Sequence, residues 1–260
     1  MSKELYIFEA NKLDGIMSRN KKFYPQELSQ EEINQLFLET RINLGKKHNF
    51  DGTKLVQAHQ KSESNNLTYP DGTYINLDKI ALTEKDYWYE DLPADILLIS
   101  KQTKNIVVAH QMADCPILIA EDRNLKVAAL AHCGASYINR GLPKQTIEAL
   151  KKEYNSLPEN IYVYIGSCAK KESYIYDSYP SRATEKTVWK NFIEEKNNKY
   201  HIDLLGAIKK QLLEVDITHI ETSNIDTITH PDYASHYGRV HGDTTKMGQN
   251  LVGCFYREKK

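Results

Sequence analysis

Four short apolar runs stand close together in the middle of the chain: Ile96–Ser100, Ile106–Ala109, Pro116–Ala120 and Val127–Ala131. The spacers between them, such as Lys101–Asn105 and Glu121–Asn124, are turn-like. A globular helix needs roughly 10–12 residues to form a useful face, and these runs are too short for that. They read as adjacent strands, in part buried on both faces. A chain with four neighbouring strands must build sheets, and its remaining apolar segments must cover them.

The covering elements are legible on either side. Lys3–Glu9 reads as an opening strand. Ser29 with Glu32 fits a capping box for a helix carrying Ile33, Leu36 and Phe37 on one face. Ser62–Pro70 is polar and reads as a loop, with Asp71-Gly72 as a turn after it. Pro143 suits the first turn of a helix running to about Tyr154. Ile161–Ile165 reads as a strand. Ser181–Glu195 and Asp203–Glu214 read as helices, the second with Leu204, Leu205, Ile208 and Leu212 on one face. Ile217–Thr222 and Leu251–Phe255 read as the last strands. There is no internal repeat, low-complexity tract or linker. The expectation is one α+β domain over residues 1–260, with mixed β-sheets flanked by helices.

Composition excludes several classes. A net charge of −1, with no basic block beyond the tail Arg257–Lys260, argues against a nucleic-acid partner. No apolar run approaches the roughly 18 residues of a membrane span. The first residues, MSKELYIFEANK, lack the apolar core of a signal peptide, so a cytoplasmic location is expected. The four cysteines, Cys115, Cys133, Cys168 and Cys254, form no CxxC pair. Without a secretion signal, reduced thiols are the default. The 17 tyrosines are spread along the chain and read as core and surface filler.

Two of the strand-like runs carry chemistry at their ends. Asp114-Cys115 precedes one, and His132-Cys133 closes another. A thiol and an imidazole suit a zinc ion, and catalytic zinc takes three protein ligands with one position left for water. Cys115 and His132 supply two ligands, and His59, at the end of the short run LVQAH, is a candidate third. Cys133 is a poor partner for His132, because neighbours on a strand point to opposite faces. A second chemical reading makes Cys115 a nucleophile, with His132 as base and Asp114 as orienting acid. The structural alternative is that these are packed core residues.

The same motifs resemble the YfiH-type laccase-domain family, whose members include proteins labelled polyphenol oxidases and zinc-dependent purine nucleoside enzymes. ADILLISKQTKNIVVAHQMADCPILIAED resembles its strand pair ending in Ala-Asp-Cys-x-Pro, here Ala113-Asp114-Cys115-Pro116. AHCG resembles its His-Ala-Gly segment, and VQAH its Gln-Val-His segment. YIGSCAKKESY, HIDLLGAIKKQLLEVDI and SHYGRVHGDTTKMGQNLVG resemble its later segments in the same order. The resemblance spans about Asp51 to Phe255. It implies a metal held by His59, Cys115 and His132, zinc in the first place and copper as the alternative. It also implies a purine nucleoside substrate of the adenosine or inosine type, cleaved with phosphate or deaminated by water. Asp114, beside Cys115, is a candidate proton shuttle on its position alone.

Departures from the family pattern fall where an anion would bind. The family's His-Ala-Gly-Trp-Arg-Gly is here His132-Cys133-Gly134-Ala135-Ser136-Tyr137, and its closing Arg-Arg is Tyr237-Gly238 with Arg239 one place later. Its Thr-Gly-Arg appears as Lys246-Met247-Gly248-Gln249, and Ser18-Arg19 is what remains of its N-terminal element. Arginine forks bind phosphate well, so Arg140 and Arg239 are the candidate replacements. A multinuclear copper site uses many histidines, often as His-x-His, and the nine histidines here form no such pair. The competing hypothesis is a non-catalytic member that keeps its metal as a structural staple. A closed four-ligand shell would mark the staple; an open position would mark the enzyme.

Overall fold

The computed structural model describes residues 3–16, 18–58, 60, 70–82, 92–103, 105–183 and 186–259. In chain order the first elements are β1 (Lys3–Ala10), α1 (Gln30–His48), β2 (Leu55–Val56) and β3 (Tyr74–Asn76). The central strands follow as β4 (Ile96–Ser100), β5 (Val107–Met112), β6 (Ile117–Asp122) and β7 (Val127–His132). Then come α2 (Ala135–Asn139), α3 (Leu142–Tyr154), β8 (Ile161–Ile165), β9 (Ile175–Tyr176) and α4 (Lys186–Trp189). The chain ends with β10 (Ile193–Lys196), β11 (Lys199–Ile202), α5 (Leu204–Leu213), β12 (His219–Thr222), α6 (His236–Val240) and β13 (Asn250–Glu258). The α+β class is as expected.

Two sheets are built from the four neighbouring runs. One is four-stranded in the order β1-β13-β5-β2, and the other six-stranded in the order β12-β8-β6-β7-β4-β3. β6 and β7 form an antiparallel hairpin with Ile117 opposite His132 and Asp122 opposite Val127. The Asp122 carboxylate closes that turn by accepting from the backbone N–H groups of Asn124 and Leu125. β5 belongs to the other sheet, where it pairs with β13 and β2. The chain therefore changes sheets between Met112 and Ile117.

Period-two alternation gives the strands two jobs. Leu97, Ile99, Ile117, Ile119, Ala128 and Leu130 pack against Val108, Met112, Val252 and Cys254 of the other sheet. Their neighbours Ile96, Leu98, Leu118, Ala120, Ala129 and Ala131 pack under α3 and α5, against Ile147, Leu150, Ala207 and Ile208. The outer face of the four-stranded sheet carries Phe8, Val107, Ala109 and Phe255 against Leu44 of α1. The order is helices, sheet, sheet, helix. A fully buried Leu or Ile contributes about 1.5–3 kcal/mol in such layers.

Helix α1 begins with the expected capping box. The Ser29 hydroxyl accepts from the Glu32 N–H, and the Glu32 carboxylate accepts from the Ser29 N–H. The helix expected over Ser181–Glu195 is not formed. Among the described residues of that span only Lys186–Trp189 is helical, and Ile193–Lys196 is a strand paired antiparallel with Lys199–Ile202. The reason is the turn between them. Asn197 and Asn198 both have positive φ, 54° and 56°, which is the two-residue hairpin turn that asparagine tolerates well. Most of the Ser62–Pro70 loop lies outside the described residues.

Candidate active site

The switch between sheets creates the site. Met112 ends β5, Asp114 takes a left-handed φ of 86°, and Cys115 and Pro116 lead into β6. The Cys133 N–H donates to the Pro116 carbonyl at 2.8 Å, which extends the β6–β7 ladder by one step. Parity then places Cys115 and His132 at the end of the inter-sheet layer, and Cys133 in the layer under the helices.

Gly134 shows how close the first two come. A Cβ built on Gly134 would lie 3.0 Å from Cys115 Sγ and 3.9 Å from His132 Nε2. The thiol and the imidazole thus share one small space, kept open by the lack of a side chain. Burial pushes the Cys115 thiol up to about 12, and the nearby Asp114 adds to this. Burial pushes His132 down to about 4. A cysteine nucleophile needs the opposite arrangement, a thiolate favoured beside an imidazolium. The pocket favours a neutral imidazole, the form that binds a metal, and a thiol would release its proton on ligating one.

The donor types suit zinc or copper. Among the described residues, no three His, Cys, Asp or Glu side chains converge closely enough to hold a metal by themselves. His59, the expected third ligand, lies outside the described residues.

Asp114 is 3 % exposed, and both its carboxylate oxygens are engaged. One accepts from Thr227 Oγ1 at 2.7 Å, the other from the Tyr237 N–H at 2.6 Å. It thereby ties the first turn of α6 to the strand crossing beside Cys115. Arg140 lies over the Tyr137 ring, 4.4 Å from its centre, and donates to Asp71 at 2.9 Å. The Tyr137 ring is 6.1 Å from that of His132. Arg239, on α6, donates to His236 Nδ1 at 3.0 Å. The two candidate arginines therefore lie on different elements, and each already has a partner.

Three further features were not read from sequence. Tyr174, Tyr176 and Tyr237 pack edge to face with ring centres 5.2–5.5 Å apart, and Tyr237 stacks on His241 at 4.0 Å. These tyrosines are an aromatic cluster and not dispersed filler. Their neighbourhood with the site shows in Tyr174, whose hydroxyl is pushed up by burial first and then by Tyr176 and Cys115. Arg182 is close enough to favour the Cys115 thiolate and to disfavour the His236 cation. His110 of β5 is 3 % exposed, with its ring centre 5.8 Å from that of His132.

Residues 40–252 match the family model described as multi-copper polyphenol oxidoreductase laccase. The chain belongs to this laccase-domain family. The fold agrees with two solved structures. One is a hypothetical protein YfiH from Bacillus licheniformis, with TM-score 0.65, 20% identity and coverage of 85% of this chain and 80% of that one. The other is YlmD from Geobacillus stearothermophilus, with TM-score 0.65, 19% identity and coverage of 86% and 81%. Among curated proteins none matches the chain. The match of the laccase-domain model takes in Asp114, Cys115, His132, Arg140 and Arg239 as well as His59. No helix among the described residues is long and apolar enough to cross a membrane.

Proposed function

We propose that the protein is a metal-dependent purine nucleoside enzyme. The observation that carries this reading is that Cys115 Sγ and His132 Nε2 both lie beside the bare backbone of Gly134. Cys115 and His132, with His59 from the family resemblance, are the residues proposed to hold zinc; copper is the competing ion for the same soft donors. When bound, zinc supplies a water whose pKa is lowered toward neutrality.

The chain's own residues supply the rest. Tyr137, Tyr174 and Tyr176 lie beside the site and are the aromatic candidates for contact with a purine base. Asp114 acts here as a positioning residue, because both oxygens hold other groups and its pull fixes α6 and Tyr237 beside the site. Arg140 and Arg239 are the candidates for holding phosphate. Arg140 is committed to Asp71 and Tyr137, and Arg239 to His236. Recruiting either breaks an existing contact, so we favour hydrolytic deamination of adenosine over phosphorolysis.

The experiment incubates zinc-loaded protein with adenosine and with inosine, with and without phosphate, and follows free base and ammonia. The expected result is ammonia from adenosine at a rate indifferent to phosphate, lost in Cys115→Ser and His132→Ala. Phosphate-dependent release of hypoxanthine would overturn the hydrolytic preference. No turnover of either nucleoside would sink the enzyme reading.

A further inference from the structure

Lysine is almost never fully buried unless its charge is paired. Lys246 is 4 % exposed, and among the described residues no carboxylate pairs with it. Its ammonium donates instead to three backbone carbonyls: Thr227 at 3.1 Å, His230 at 2.5 Å and Tyr233 at 3.4 Å. A lysine has three N–H donors, so the set is complete. A cage of carbonyl oxygens is also the surroundings in which a monovalent cation such as K+ sheds its water. The fold has built a cation site here and filled it with its own side chain.

What the cage fastens is the segment that grips Asp114. The three carbonyls belong to one loop, residues 227–233, which leads into α6. Thr227 Oγ1 of that loop and the Tyr237 N–H of α6 are the two donors to the Asp114 carboxylate. Lys246 also holds the start of α6 directly. Its carbonyl accepts from the Ser235 N–H at 3.1 Å, and a Cβ at Gly238 would lie 2.9 Å from its Cγ. Helix α6 is five residues long, too short to hold its shape without such ties. Its position in turn sets Tyr237 against Tyr174 and Tyr176.

We propose that Lys246 is a positioning residue of the candidate active site. Its ammonium locks the 227–233 loop and the start of α6, and through Thr227 and Tyr237 it fixes Asp114 beside Cys115. The inference rests on reading this region as an active site. Its consequence is specific. Removing the ammonium leaves three carbonyls without their donor, which loosens the loop locally. Cutting the side chain back also opens the cage, and a free NH4+ or K+ ion takes the place of the ammonium.

The test uses the full chain, loaded with zinc, as wild type, Lys246→Ala and Lys246→Met. Each is held in tetramethylammonium, ammonium or potassium chloride at equal ionic strength. Adenosine turnover and backbone hydrogen exchange are followed side by side. In tetramethylammonium, Lys246→Ala is expected to lose at least about tenfold in kcat/KM. Residues 227–240 should exchange at least about tenfold faster, while β6, β7 and α3 exchange as in wild type. NH4+ or K+ should restore part of both losses in Lys246→Ala and change nothing in wild type. Lys246→Met, whose side chain fills the cage, should show the losses without the recovery. Exchange that quickens throughout the chain and ignores the ions overturns the inference and leaves Lys246 an ordinary structural residue. Unchanged kcat/KM in both variants, with an active wild type, overturns it as well. If Lys246→Ala does not fold, Lys246→Met decides: faster exchange confined to residues 227–240 with lost turnover supports the inference, and uniform loosening sinks it. Local, ion-reversible exchange in Lys246→Ala, with no nucleoside turned over by wild type, leaves the lock on Asp114 standing and removes only the enzyme.

Discussion

The two faces of the six-stranded sheet use the same strands for different ends. Leu98, Leu118, Ala129 and Cys133 face α3 and α5 in a layer that is apolar throughout. Leu97, Ile117 and Leu130, one residue away on the same strands, face the second sheet. That second layer begins as ordinary core and ends in His110, Cys115 and His132. Cys133 and His132 are neighbours in sequence, yet one packs in an inert layer and the other meets a thiol. A covering helix can slide and repack as side chains change, but two sheets joined by a strand crossing hold fixed backbone at the exit from the core. The inter-sheet layer therefore has the rigid rim on which a preorganised donor set can be built.

The comparison holds only if both layers are true core away from that rim. Leu97 and Leu98 are both 0 % exposed and point to opposite faces of β4. Leu97→Ala and Leu98→Ala are each expected to cost about 2–5 kcal/mol, by lost burial and the cavity left behind. Denaturant unfolding of the apo protein measures both. A cost below about 1 kcal/mol at Leu97 alone would mean that the inter-sheet layer is loosely packed and that its rim is not rigid.

Charge separates the layers in a second way. At the helix-covered side, Glu153 near the end of α3 accepts from Tyr74, Asn76 and Lys79, the last at 2.7 Å. Those bonds, Lys79 first, hold its carboxyl down to about 2. The group's folded pKa is depressed, so the unfolded chain binds more protons between the two pKa values. Its stabilisation is complete above about pH 4.5 and is lost as pH falls toward 2. The side chain is 14% exposed against a Lys79 that is 63% exposed, so screening reduces the effect to about 1–2 kcal/mol. Glu153→Gln should be less stable than wild type by that amount at about pH 6, with the gap closing by about pH 2. A gap that persists at low pH would show that packing, and not charge, fastens α3 to β3.

Much of this contrast was legible in the residues. Short apolar runs separated by turns announce strands, and strand parity alone separates Cys133 from His132. The Ser29 and Glu32 box and Pro143 place α1 and α3 because capping is local chemistry. The hairpin at Asn197 and Asn198 was missed because Trp189, Phe192 and Ile193 read equally well as one face of a helix. What decides the matter is the positive φ of the two asparagines and the pairing beyond them. The His110 position was illegible for another reason. A lone imidazole in a strand shows no more than its parity, and its meeting with His132 depends on which sheet stacks on which. Tyr174 and Arg182 reach the site from loops after β8, Tyr176 from β9 and Tyr237 from α6, and sequence spacing says nothing about those distances. The covalent neighbours Asp114 and Cys115 illustrate the limit: adjacency suggested a shared reaction, whereas the left-handed turn at Asp114 sends its carboxylate to Thr227 and Tyr237.

The finest test of the contrast is a single methyl group. Gly134 sits at the rim with φ −67° and ψ 166°, a conformation open to any residue. Gly134→Ala should therefore gain a few tenths to about 1 kcal/mol from the less flexible unfolded chain. The added methyl lies 3.0 Å from Cys115 Sγ, closer than such atoms normally approach, so the thiol must give way by a few tenths of an ångström. These opposing terms leave apo stability within about 1 kcal/mol of wild type. The same methyl stands beside both Sγ and His132 Nε2, the two donors proposed to hold a metal. Zn2+ affinity is thus expected to fall at least tenfold while the unfolding curve barely moves. A variant that unfolds early would place Gly134 in the core, like its neighbour Cys133. A variant that keeps both its stability and its Zn2+ affinity would mean that the donors meet an ion from another side, and that the open face of Gly134 serves only to let α2 start close to the strand.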